Sequence, residues 1–87
     1  MRVAVWDTYV KKQNGEIMHF DIIAPESIKD ADMIHKMGKA YLATKGEEEQ
    51  PLTAAECQFC HQEVASDEML ESINQKGYFI IEMEGCD

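Results

Sequence analysis

Two stretches that alternate in residue type with period two, Val3 to Val10 and Glu16 to Ile23, flank the segment Lys11-Lys12-Gln13-Asn14-Gly15. No other feature limits the fold as much. Alternation of this kind marks strands, and Asn14-Gly15 marks the reversal between them because both residues tolerate positive φ. Pairing through that turn predicts Val3, Val5, Asp7 and Tyr9 on the same face as Met18, Phe20 and Ile22, which reads as the core face. Asp7 is its one anomaly, because an ionised carboxylate is disfavoured on an apolar face unless it is paired. The opposite face is predicted to carry Ala4, Trp6, Thr8 and Val10 beside Ile17, His19, Asp21 and Ile23.

Pro25 ends the second strand. Ser27 or Asp30 caps a helix in which Ile34, Met37, Tyr41 and Leu42 recur at helical spacing, and Gly46 stops it. Gly38 inside that helix costs about 1 kcal/mol relative to Ala, which points to close packing against the sheet. Glu47-Glu48-Glu49-Gln50-Pro51 reads as a solvated loop. Thr53-Ala54-Ala55-Glu56 has the capping-box pattern, and Cys57 onward fits either a strand or a continued helix. Ser66 begins a second helix with Met69, Leu70 and Ile73 inward, and Gly77 closes it. Tyr78 to Met83 is the most strand-like segment, and its nearly unbroken apolar character predicts a place inside the sheet. The reading is one α+β domain over residues 1–87, two-layered, of order ββαβαβ, with an N-terminal hairpin in a mixed sheet and two helices on one face.

The chain has 87 residues, and seventeen acidic against eight basic side chains give a formal charge of −9. A surface of that sign repels phosphate backbones and anionic headgroups, so nucleic-acid and membrane partners are disfavoured. Apolar runs are short and no export signal precedes Val3, which predicts a cytoplasmic protein. Three cysteines, an odd number, argue against a disulfide framework and for a reducing compartment.

Five strings in order, Asp7-Thr8-Tyr9-Val10, Met18-His19-Phe20-Asp21, Cys57-x-Phe59-Cys60-His61, Gly77-Tyr78-Phe79-Ile80 and Met83-Glu84-Gly85-Cys86, carry a resemblance along the whole chain. Together they resemble a small family of short bacterial proteins, a domain of unknown function. The resemblance implies a compact two-layer α+β domain and brings no catalytic residue, cofactor or substrate with it.

Cys57-Gln58-Phe59-Cys60-His61 is the most chemically pointed segment. As a haem-attachment string it lacks the export signal that such chemistry needs, so covalent haem is disfavoured. Zinc remains an option, with Cys57 and Cys60 at knuckle spacing, Cys86 as a third ligand and His61 or His19 as the fourth. A dithiol centre is a further alternative, although Glu56 and the net charge oppose thiolate formation. The plain reading is packing, since free cysteine behaves as a small buried hydrophobe, and it leaves the domain without a cofactor. Met18, Met33, Met37, Met69 and Met83 fall at core-compatible positions, and His35 faces solvent.

The preferred function is a non-enzymatic module that binds a protein or small ligand through Trp6, Thr8, His19 and Asp21. The alternative is a zinc-supported or thiol-active domain using Cys57, Cys60, His61 and Cys86. Either works as a monomer, or as a homodimer paired through the edge of the last strand.

Overall fold

The hairpin turns through a loop one residue longer than Asn14-Gly15 alone. In the computed structural model, which describes residues 1–86, strand β1 runs Arg2–Lys11 and β2 runs Ile17–Pro25. The Lys12 amide donates to the Glu16 carbonyl at 2.7 Å and the Gly15 amide to the Lys12 carbonyl at 3.0 Å. The loop is therefore Gln13-Asn14-Gly15, and within it only Gly15 takes positive φ, 91°. The side chain of Asn14 accepts from the Glu16 amide at 2.9 Å, which props the turn.

Changing the loop length by one changes every cross-strand partner. Val5 pairs with Ile23, Asp7 with Asp21 and Tyr9 with His19, whereas Trp6 pairs with Ile22, Thr8 with Phe20 and Val10 with Met18. The predicted grouping of Val3, Val5, Asp7 and Tyr9 with Met18, Phe20 and Ile22 requires a two-residue loop and is incorrect. A slip of one residue moves a whole side-chain set to the other face, and here the apolar residues of both strands decide the register.

Four elements follow: α1 (Ala31–Ala43), β3 (Cys57–Val64), α2 (Asp67–Lys76) and β4 (Phe79–Glu84). The predicted α+β class and the order ββαβαβ are observed. The sheet has the order β3-β1-β2-β4, and its three pairings are all antiparallel rather than mixed. Asp30 caps α1 by accepting from the Asp32 amide. Ile34, Tyr41 and Leu42 of α1 then join Val10, Met18, Phe20, Ile22 and Ala24 in one apolar cluster. Met69 and Ile73 of α2 pack with Val3, Val5 and Ile23 in a second cluster. The residues of these two clusters alternate along β1 and β2, so the helices lie on opposite faces and not together on one. The physical reason is that both central strands are apolar on both sides, so each side needs a cover.

The α2 face is covered at one end only. A ten-residue helix is about 15 Å long, and it packs on the Val3, Val5 and Ile23 end of the hairpin. Asp7 and His19 at the other end are half-buried and Tyr9 is exposed.

Residues 57–61 are strand, preceded by a turn in which Glu56 Oε1 accepts from the Thr53 amide at 2.8 Å, as the capping-box pattern predicts. Val5 pairs with His61 and Trp6 with Phe59, leaving Cys60 as the extra residue of a bulge. Strand β4 lies at a sheet edge and not inside, with Phe79, Ile80 and Ile81 only partly buried. Met33 and Met83, expected in the core, are exposed. A Cβ on Gly38 would lie 2.5 Å from Leu52 Cδ2 and 2.9 Å from Ile22 Cδ1, so the predicted close packing is present. Gly85, at φ 69°, sits so tightly against the Ile17 carbonyl that no side chain fits.

Candidate functional site

Register alone assembles the polar group on the open end of the α2 face. Asp7 and Asp21 are direct cross-strand partners, and Tyr9 and His19 are the next pair on the same face. Side chains at such positions are near neighbours, close enough to act together. His19 Nε2 stands 2.6 Å from Asp7 Oδ1. The Tyr9 and His19 rings stack with centroids 4.1 Å apart and planes 11° from parallel, which fixes the imidazole. Asp7, His19 and Asp21 each offer a ligand atom, and these atoms all lie within 4.8 Å of one another.

Asp21 is the unusual member. It is 9% exposed, and among the described hydrogen bonds to side chains no amide, hydroxyl or cation donates to it. Burial pushes its carboxyl above the usual range, and the hydrogen bond and charge of Asp7 push it further. His19 and His61 act in the opposite direction, since imidazolium at either position favours the carboxylate. His61 belongs to the same face through its pairing with Val5. The arrangement is thus two carboxyl groups that resist ionising together, a neighbouring imidazole, and an open side toward solvent. Such a group has the donor atoms to hold either a shared proton or a cation.

The predicted binding patch of Trp6, Thr8, His19 and Asp21 is split. His19 and Asp21 are on the α2 face, and Trp6 and Thr8 are on the α1 face, because the three-residue loop sets the register. Thr8 is fully buried, with its hydroxyl 3.2 Å from the Trp6 carbonyl and 3.4 Å from Cys57 Sγ. Trp6 is half-buried and meets Phe59 edge to face at 5.7 Å. Both line a cleft of about 330 Å³ that also includes Ile28 and Lys29. Sequence reading missed Tyr9 as a site residue, although its place two residues after Asp7 put it on the same face.

The three thiols do not converge. Cys57 is buried beside Thr8, Cys60 is exposed at the bulge, and Cys86 is buried with its thiol 3.4 Å from the His19 carbonyl. His61 is exposed, with Nδ1 3.3 Å from Cys60 Sγ and Nε2 3.2 Å from Glu63 Oε1. Among the described residues no thiol joins a group of three metal-ligand atoms. Burial pushes the Cys57 thiol up, away from the thiolate that a dithiol centre needs.

Among the described residues no helix is long and apolar enough to cross a membrane. A search of curated proteins finds no match. The chain is similar along its full length to protein NE1680 from Nitrosomonas europaea, a structural genomics target solved by NMR. The two share 45% identity and a TM-score of 0.86, with 100% of each chain covered. Residues 1–83 match the model of a domain of unknown function, DUF2024, and the chain belongs to that family.

Proposed function

We propose that the domain is a non-enzymatic ligand-binding module, and that its ligand is a divalent transition-metal cation held by Asp7, His19 and Asp21. The observation that carries this reading is Asp21, a carboxylate nine-tenths buried whose nearest side-chain partners are a second carboxyl group and a histidine. A buried carboxylate whose side-chain hydrogen-bond partner is another carboxyl group is costly to ionise, and a cation at this point relieves both that cost and the repulsion from Asp7. Two carboxylates and one imidazole make a mixed oxygen and nitrogen set. Such a set suits Zn²⁺, Mn²⁺ or Fe²⁺ better than Ca²⁺, which prefers six or more oxygens.

The 2.6 Å contact between His19 and Asp7 is the hydrogen bond that the cation replaces. Ligand atoms about 2.1 Å from one ion sit roughly 3 Å or more from each other, so small side-chain rotations suffice. Three protein ligands leave coordination positions for water or an exogenous group on the open side. Stacking on Tyr9 holds the imidazole plane, the role that outer partners play at metal sites.

Isothermal titration of chelator-treated, tag-free protein with Zn²⁺ and Mn²⁺ tests the proposal. One cation per chain is expected, with affinity falling as pH is lowered because protons compete with the cation for the Asp21 carboxylate, whose pKa is raised. Asp21→Asn and His19→Ala are each expected to weaken binding more than about 100-fold, beyond the loss typical of outer partners. Absence of binding, or binding indifferent to both substitutions, overturns the assignment.

A further inference from the structure

In a regular strand neighbouring side chains point to opposite faces, so a thiol does not reach the ring of the next residue. Strand β3 breaks that rule at its bulge. Cys60 is the extra residue between the pairings of Phe59 with Trp6 and His61 with Val5, and its Sγ lies 3.3 Å from His61 Nδ1. Bulges re-aim side chains in this way. Glu63 stands two residues beyond His61, the spacing that shares a strand face, and its Oε1 lies 3.2 Å from the second ring nitrogen, Nε2.

The two contacts set the direction of a proton. An ionised carboxylate only accepts, so the neutral imidazole carries its proton on Nε2 and donates it to Glu63. Nδ1 is then the acceptor facing the thiol. Nucleophile, base and orienting acceptor thus follow one another, and the thiol at their head is exposed to solvent. Cys57 and Cys86 are buried, and among the described hydrogen bonds neither thiol meets an imidazole.

We infer that Cys60 is a nucleophilic thiol that exchanges with small disulfides of neutral or positive charge, with His61 as its base. The site is open, which suits a diffusible reagent, and a formal charge of −9 selects against an anionic one. The Sγ proton passes to His61 Nδ1 and the thiolate attacks one sulfur of the disulfide, whose S–S bond breaks as the new one forms. The imidazolium returns the proton to the departing thiolate. Cys60 is thereby oxidised to a mixed disulfide, and the other half of the reagent is reduced to a thiol. One thiol suffices, unlike in a dithiol centre. Asp7, His19 and Asp21 take no part, so the inference is independent of the metal reading.

Cystamine is the probe, added to chelator-treated full chain near neutral pH and followed by mass spectrometry. One cysteamine is expected, on Cys60, with Cys57 and Cys86 unmodified. A free thiol is only a few per cent thiolate at that pH, so a base that takes its proton speeds the reaction by at most roughly 30-fold. His61→Ala should slow it about tenfold, within that ceiling, and added imidazole should restore part of the loss. Glu63→Ala should slow it about threefold, whereas Glu63→Gln, which keeps a carbonyl acceptor for the Nε2 proton, should recover most of the rate. The His61 and Glu63 side chains are 54% and 42% exposed, so circular dichroism is expected to show an unchanged fold. A native rate no faster than that of His61→Ala, no rescue by imidazole, or equal rates for Glu63→Ala and Glu63→Gln overturns the assignment.

Discussion

Asp21 makes the protein's stability depend on pH in an uncommon direction. Its carboxyl is raised by burial and by Asp7, so the folded state binds its proton more tightly than the unfolded chain. The stability it contributes is present below the unfolded pKa and is lost as pH rises through the raised one. Without metal, thermal unfolding should show the native protein losing stability on this account as pH rises from acid toward neutral. Asp21→Asn, which keeps the shape and removes the ionisation, should flatten that decline. Addition of Zn²⁺ should reverse it in the native protein and have no effect in the variant. At this scale the sequence is half legible. Asp7 stood out as a carboxylate in an apolar alternation, but its partners depended on a register that no single residue announces.

Among the elements, the hairpin shows where inference from sequence stops. Both strands and the turning point were readable from alternation and from Asn14-Gly15. Whether the loop holds two residues or three was not, because Gly15 serves a type I′ pair and a three-residue turn equally well. That one difference moved Trp6 and Thr8 away from His19 and Asp21. The placement of α2 was hidden for a related reason, since a strand apolar on both sides does not say which helix covers which. Helix α1, in contrast, was legible down to Gly38. Its contact with Leu52 and Ile22 sets an overpacking cost of roughly 1–3 kcal/mol against a propensity gain of about 1 kcal/mol. Gly38→Ala should therefore destabilise the domain by about 1 kcal/mol in urea denaturation.

For the molecule as a whole, the edge strand β4 is held by more than its pairing with β2. Glu82 of β4 accepts from the Tyr41 hydroxyl at 2.5 Å and pairs with Lys45 at 3.0 Å, which ties β4 to the end of α1. The Tyr41 hydrogen bond and then Lys45 hold the Glu82 carboxyl below its usual range. This contribution is present above the unfolded pKa and lost as pH falls through the lowered one, the opposite sense to Asp21. Tyr41→Phe should cost about 1 kcal/mol near neutrality and less in acid, as read by chemical denaturation at both pH values. The short span of α2 has a consequence of its own. Both ends of α2 lie at one end of the sheet, since β3 leaves it at Val64 opposite Arg2 and β4 enters it at Phe79 opposite Ile23, so the helix crosses that end and leaves the carboxylates uncovered. The modest reach of one helix is what leaves a window in an otherwise closed wall.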